Sequence, residues 1–294
     1  MVEILRSLLF VPANDEKKLA KAGDRNADAL LLDLEDSVLP SQKTSAREMC
    51  CDFLQTSQTQ SKIWVRINSL DSPYCLDDLK AVIPLQPAGI MLPKPDGPVD
   101  VETLSKLIQN LEGKNKLVKG GIKILPIATE TARAVLSLPL YARVYLPRLL
   151  GLSWGAEDLA TDLGATTKHD ENGNLAFTYQ MVRSHMLLSA KAAGVQAIDA
   201  LYEDFRDSTG LRNRATAAFS EGFTGMLAIH PAQVEIINQS FSPTNSQIEH
   251  AEAVVRAFAE NPNAGAVSVD GKMTDIPHFK QALNVLSVSK KIAN

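Results

Sequence analysis

Two carboxylates, Glu130 and Asp158, each close a short apolar run, Ile122 to Glu130 and Leu149 to Asp158. If these runs are neighbouring strands of one sheet, the two side chains converge. An oxygen-only pair suits a hard divalent cation, Mg²⁺ or Mn²⁺, with water and substrate completing the shell. The plainer alternative is that Glu130 caps a helix starting at Thr131, with Glu157 and Asp158 as solvated loop residues. A second acidic group, Asp33-Leu34-Glu35-Asp36, ends another run. Strand alternation sets Asp33 and Glu35 on one face and Asp36 near the turn. Three acids at one strand end repel each other unless a cation such as Arg66, Lys94 or a metal sits among them. Arg66 lies within Ile63-Trp64-Val65-Arg66-Ile67-Asn68. A guanidinium in a barrel interior must pair, either with a substrate carboxylate held in two-pronged fashion or with Asp33, Glu35 or Asp36. Lys94 ends Leu92-Pro93-Lys94 and can be a Schiff-base lysine or an ion-pair partner. The paired carboxylates favour metal chemistry over imine chemistry. The small residues Gly155 and Ala156 let backbone N–H groups approach an anion. His230, in Ile229-His230-Pro231, reads better as a packed or capping histidine than as a catalyst.

What positions these residues is a repeated pattern. Eight short apolar runs alternate with charged stretches of helical spacing, the signature of a (β/α)8 barrel. The remaining runs begin at Ser7, Ala29, Gly89, Val195 and Gly225. In such barrels the site lies at the C-terminal ends of the strands, where these acids and cations fall. Helices are expected over Asp15–Asn26, Ser41–Leu54, Leu76–Ile83, Val101–Leu111, Thr131–Ala142, Thr178–Ala193, Thr209–Glu221 and Pro231–Gln239. A polar loop, Gly164 to Asn174, follows the sixth strand. The expected division is a catalytic barrel over residues 1–240 and a helical extension or lid over 241–294. The extension is expected to carry helices Gln247–Ala259 and Pro277–Lys291, joined by a plain Gly- and Asn-containing connector, Asn261 to Asp275.

The bulk properties narrow the class. The chain has 294 residues and a net charge of −4, without the basic face a nucleic-acid partner needs. No apolar run approaches the ~18 residues of a membrane span, and the N-terminus lacks the pattern of a signal peptide. Three cysteines, Cys50, Cys51 and Cys75, form no C-x-x-C pair and fit a reducing cytoplasm. There is no G-x-G-x-x-G, Walker A, H-E-x-x-H or G-x-S-x-G motif.

Taken in order, the segments Arg6-Ser7-Leu8-Leu9-Phe10-Val11-Pro12, Leu32-Asp33-Leu34-Glu35-Asp36-Ser37-Val38, Val65-Arg66-Ile67-Asn68, Leu92-Pro93-Lys94, Glu130-Thr131, Gly155-Ala156-Glu157-Asp158-Leu159 and Ala228-Ile229-His230-Pro231 resemble the citrate lyase beta subunit-like family of the HpcH/HpaI aldolase superfamily. The resemblance spans essentially the whole chain. It implies a Mg²⁺-dependent lyase of hydroxyacyl thioesters. Glu130 and Asp158 would hold the metal. Arg66 and the Gly155-Ala156 backbone would hold an oxoacid carboxylate, with Glu35 and Lys94 also on the substrate side. Asp33, Glu35 and Asp36 would support metal waters and Arg66, so that Asp33, Asp36 and Arg66 count among the catalytic residues. Relatives often carry Gly after Val-Pro in the first motif, where this chain has Ala13. The segment Val269-Asp270-Gly271-Lys272-Met273-Thr274-Asp275 resembles the lid of coenzyme A lyases in that family. By that likeness Asp270, with Asp275 as the fallback, is a catalytic acid reaching a neighbouring subunit of a homotrimer or homohexamer.

The implied substrates are an acyl-CoA thioester and an α-oxoacid: pyruvate, glyoxylate or oxaloacetate. The leading reading is a free-standing lyase of citramalyl-CoA or malyl-CoA. The alternatives are a citrate lyase beta subunit acting on carrier-bound citryl, a malyl-CoA thioesterase and a non-catalytic binding protein.

Overall fold

A computed structural model describes residues 4–23 and 26–292. Asp24 and Arg25 of the first expected helix therefore lie outside the described residues, as do the extreme ends of both expected domains.

Eight parallel strands form the barrel: β1 (Ser7–Pro12), β2 (Ala29–Asp33), β3 (Lys62–Arg66), β4 (Gly89–Leu92), β5 (Lys123–Pro126), β6 (Gly151–Ser153), β7 (Gln196–Asp199) and β8 (Gly225–Ala228). Their order is β5-β4-β3-β2-β1-β8-β7-β6. The helices are α1 (Glu16–Ala22), α2 (Lys43–Thr56), α3 (Cys75–Val82), α4 (Pro98–Lys114), α5 (Ala132–Ser137), α6 (Glu157–Asp162), α7 (Phe177–Ala192), α8 (Ser208–Glu221) and α9 (Pro231–Ser240). Except for β1, which spans its whole run, the strands are shorter than the apolar runs that announce them, because the final residues of those runs leave the ladder to build loops at the barrel mouth.

Alternation along the strands divides the core in two. Leu8, Ala29, Leu31, Trp64, Met91, Leu125, Ile198 and Leu227 fill the barrel interior. Leu9, Leu30, Leu32, Val65, Ile90, Ile124 and Met226 pack outward beneath the helices. Gly89 makes room for the largest interior side chain, since a Cβ there would come within 2.2 Å of the Trp64 ring.

The seam between β5 and β6 closes the barrel with isolated bridges, Ile124 to Leu149 and Ile127 to Ser153, rather than a continuous ladder. Arg148 staples that seam. Its Nη1 donates to Glu112 Oε1 at 2.8 Å and to the Ile122 carbonyl at 3.0 Å, and its Nη2 donates to Glu112 Oε2 at 2.5 Å. Both side chains are buried.

Two local expectations need correction. A short helix, α6, intervenes after β6, so Glu157 and Asp158 open a helix instead of lying in a simple loop. The connector of the extension is also ordered. Between α10 (Asn245–Glu260) and α11 (Ile276–Ile292) it forms an antiparallel hairpin of β9 (Ala266–Val269) and β10 (Lys272–Asp275). Its turn residues Asp270 and Gly271 have φ of 53° and 74°, the left-handed pair that Asp-Gly favours in two-residue hairpin turns. This module has its own apolar cluster of Ala251, Val254, Phe258, Val269 and Ala282. Among the described residues no helix is long and apolar enough to cross a membrane.

Removing one partner of the Arg148–Glu112 pair leaves a buried charge uncompensated, which typically costs about 3–5 kcal/mol. Glu112→Ala should lower the unfolding free energy by that order in urea titrations. A loss below about 1 kcal/mol, the level of an exposed pair, would show that the pair does not secure the seam.

Candidate active site

The acids and cations gather at the barrel mouth because strand register puts them there. Asp33 ends β2 directly opposite Arg66, which ends β3. Both occupy interior positions two residues beyond Leu31 and Trp64. Arg66 donates from Nε to Asp33 Oδ1 and from Nη2 to Asp33 Oδ2, both at 2.7 Å. Its Nη1 lies 3.1 Å from Glu35 Oε2, and its guanidinium sits 4.7 Å from the centre of the Phe10 ring. The Glu35 and Ser37 N–H groups also donate to Asp33, folding the acidic segment back over the strand end.

Lys94 joins the two acid groups. Its backbone is left-handed, with φ of 51°. That turn lets its N–H donate to Glu130 Oε2 at 2.5 Å, while its Nζ lies 2.6 Å from Glu35 Oε1, 3.3 Å from Asp36 and 3.4 Å from Asp158 Oδ1. One residue thus touches both expected metal ligands. Gly155 leaves space beside Glu130, since a Cβ at position 155 would lie 3.5 Å from Glu130 Cγ. Its N–H donates to Thr129 Oγ1, so of the two small residues it is Ala156 whose N–H is left to meet an anion. A cavity of about 900 Å³ exposes Phe10, Asp36, Arg66, Glu130, Gly155, Ala156 and Asp158 together.

Electrostatics separate the acids into distinct types. Burial works against the charge of Asp33, but the Arg66 hydrogen bonds and charge outweigh it and hold its carboxyl below the usual range. With both oxygens engaged, Asp33 orients Arg66 and has little freedom to exchange protons. Burial lifts Glu35, and the nearby cations Arg66 and Lys94 only partly offset this. Its Oε2 is buried without a hydrogen bond. Glu130 is pushed up to about 8 by burial, with Asp158 and Glu35 adding like charge. Lys94 and Arg66 also lose hydration on burial, yet the acids around them keep both firmly cationic.

These residues fit a divalent cation. Asp33, Glu35, Asp36, Glu130 and Asp158 gather around Arg66 and Lys94, and Glu130, buried without a guanidinium partner, carries a proton near neutrality unless positive charge arrives. Among the described residues no cluster of three or more His, Cys, Asp or Glu side chains is arranged to hold a metal unaided. A cation here would have the carboxylate pair Glu130 and Asp158 as its protein donors, with the rest of its shell supplied by water and substrate. The helix-cap alternative for Glu130 fails, because Thr131 caps α5 through its own hydroxyl. The ion-pair alternative for Arg66 holds, and Arg66 still lines the cavity. His230 caps α9, accepting the Ala232 N–H at 3.2 Å.

Asp270 stands apart. At the hairpin tip its carboxylate is three-quarters exposed and lies 3.2 Å from His250 Nδ1. It is not among the residues lining the mouth cavity. Asp275 pairs with His278 at 2.5 Å.

Two further contributors support the acidic segment. The buried Lys43 ammonium donates to the Leu34 and Glu35 carbonyls at 2.8 and 2.7 Å, fixing the segment from below. Asn68 holds the Leu34 carbonyl from the end of the Arg66 run at 3.0 Å. Asn68 is visible in the sequence as the polar end of that run, whereas a lone lysine on a helix carries no signal.

Known proteins resemble this chain along most of its length. A model of the HpcH/HpaI aldolase/citrate lyase family matches residues 6–231. The mitochondrial citramalyl-CoA lyase of Rattus norvegicus is 34% identical over 98% of this chain and 86% of its own. A (3S)-malyl-CoA thioesterase of Cereibacter sphaeroides is 33% identical over 98% of this chain and 95% of its own. The crystal structure of protein CitE from Mycobacterium tuberculosis in complex with magnesium, acetoacetate and coenzyme A has a TM-score of 0.80 and 29% identity, over 99% of this chain and 100% of that one.

The raised Glu130 carboxyl has a measurable consequence. Between about pH 4.5 and 8 the folded state holds a proton that the unfolded state has released, so this group's contribution to stability falls as pH rises. In EDTA, the stability difference between Glu130→Gln and wild type should move in favour of the variant from pH 5 to pH 9. Parallel pH profiles from denaturant titrations would contradict a protonated Glu130.

Proposed function

The chain belongs to the HpcH/HpaI aldolase/citrate lyase family, and from that premise we propose that it is a Mg²⁺-dependent carbon–carbon lyase that cleaves or forms a 3-hydroxyacyl-CoA, such as citramalyl-CoA or malyl-CoA, with acetyl-CoA and an α-oxoacid as the other side of the reaction. The observation that carries this reading is the meeting of Glu130, Asp158 and Arg66 in one cavity, with Glu130 held near a neutral carboxyl by its surroundings.

In this reading Glu130 and Asp158 hold the metal, with Mn²⁺ able to substitute. When bound, the cation supplies Lewis-acid polarisation of the oxoacid carbonyl. Arg66 and the Ala156 N–H take the oxoacid carboxylate. Asp33 keeps the Arg66 fork oriented, and Glu35 and Asp36 balance Arg66 and Lys94. In cleavage a base, water where no side chain is in reach, takes the substrate hydroxyl proton. The O–H electron pair forms the oxoacid carbonyl, and the C–C pair passes to the thioester enolate. The enolate then takes up a proton to give acetyl-CoA. Lys94 is spoken for by Glu35, Asp36 and Asp158, which argues against a free amine for imine chemistry. The coenzyme A lyase reading is preferred to a citrate lyase beta subunit on the solved relative in complex with coenzyme A, which covers 99% of this chain, and on the 34% identity of the citramalyl-CoA lyase against 31% for a citrate lyase subunit beta that also matches 97% of the chain. Thioester hydrolysis on the same site is the second reading, supported by the malyl-CoA thioesterase relative.

The direct test incubates the pure protein with Mg²⁺ and (S)-citramalyl-CoA or malyl-CoA. Acetyl-CoA with pyruvate or glyoxylate is the expected outcome, abolished by EDTA and by Glu130→Ala or Asp158→Ala. Free CoA with the intact hydroxyacid would instead establish the hydrolase. Turnover that survives EDTA or both substitutions would refute the metal assignment.

Asp270, exposed at a hairpin tip, is proposed to protonate the enolate in the site of a neighbouring copy within a homotrimer or homohexamer. Asp270→Ala and Glu130→Ala, each nearly inactive alone, should regain a fraction of activity when co-expressed as mixed oligomers. No recovery in assemblies that mass measurement shows to be mixed would remove the arrangement in trans.

A further inference from the structure

Asp199 closes β7 and has no part in the lyase chemistry. It is completely buried, and its carboxylate is crowded with donors. Arg183 of α7 donates from Nε and from Nη2, the latter at 2.9 Å. Arg214 of α8 donates from Nε at 3.2 Å, and the Ala200 N–H at 2.9 Å. The shortest bond comes from the Trp154 indole Nε1–H at 2.6 Å.

Trp154 directly precedes Gly155. The strand behind it, β6, has only three residues, so little sheet structure holds the segment beyond Trp154. Two side chains, Thr129 and Asp199, take over. Thr129 Oγ1 accepts the Gly155 N–H from the β5 side, and Asp199 accepts the indole from the helix side. A buried ionic cluster is a weak way to gain stability, because desolvation offsets most of the attraction. It is a good way to set a direction, since hydrogen-bond geometry is narrow. Trp154, Arg183 and Arg214 all border the same cavity as Gly155 and Asp158, so the cluster forms the wall behind the site.

We propose that Asp199 is a positioning residue: through the Trp154 indole it fixes the Gly155–Asp158 segment, and so sets the Ala156 N–H and the Asp158 carboxylate against Arg66 and Glu130. The functional part of this proposal rests on the lyase reading, whereas its mechanical part does not.

The test uses Trp154→Phe, which removes the indole donor and leaves the Asp199–arginine pairs intact. Benzothienylalanine at position 154 is the shape-preserving version, keeping the fused ring without the N–H. Amide hydrogen exchange is measured on the full chain without substrate. Exchange at the hydrogen-bonded amides of this segment, Gly155 and Ala160, should quicken about tenfold, as expected for losing one bond to a charged acceptor, with amides of β1–β4 unchanged. In the condensation direction the KM for the oxoacid should rise about tenfold, while the KM for acetyl-CoA and kcat move far less. Unchanged exchange at Gly155 and Ala160 in either folded variant would overturn the proposal. Uniform quickening across the barrel would also overturn it, because the bond would then serve stability alone. If wild-type protein shows no condensation, the lyase reading falls and exchange alone decides the positioning claim.

Discussion

The two-pronged bond between Asp33 and Arg66 joins the ends of adjacent strands, and the rest of the mouth is arranged around it. Because the two residues are register partners, their contact follows from the β2–β3 ladder itself. Arg66 then draws Glu35 inward, Glu35 takes the Lys94 ammonium, and Lys94 meets Glu130 and Asp158. Charge is thereby passed around half of the barrel, from β2 to the start of α6. A catalytic role that placed a proton on Asp33 would break the first link of this chain.

Such a site opposes stability in the folded chain. Carboxylates gathered in a buried mouth repel one another and lose hydration, which is why Glu130 and Glu35 are both lifted. Lys94 holds a left-handed backbone that a β-carbon disfavours. The surrounding barrel tolerates these local penalties through its two apolar layers and the Arg148–Glu112 seam. Local strain and raised carboxyls of this kind are expected where a structure is adapted to receive positive charge and an anionic substrate.

Much of this architecture is legible in the residues. The recurrence of short apolar runs determines the (β/α)8 barrel, because inside and outside positions must alternate on every strand. The strand-end rule then locates Asp33, Arg66, Lys94 and Glu130. The features that escape it depend on side chains far apart in sequence. Lys43 reaches the acidic segment from a helix, and Asp199 meets Trp154 across β6 and β7. Neither pairing leaves a local pattern. The hairpin at Asp270 is legible in principle from its Asp-Gly turn between alternating valines and polar residues, yet the neighbouring Asn and Gly residues suggest only a connector. The short helix α6 lacks an apolar period long enough to announce it.

Everything proposed for the mouth turns on one divalent cation held between Glu130 and Asp158. Anomalous diffraction at the manganese edge, from crystals grown with Mn²⁺ and an α-oxoacid, tests this most directly. A single strong peak is expected within bonding distance of Glu130 and Asp158, with the oxoacid completing the shell and its carboxylate facing Arg66. A peak at another acidic cluster, or an oxoacid bound at Arg66 with no ion beside Glu130, would contradict it.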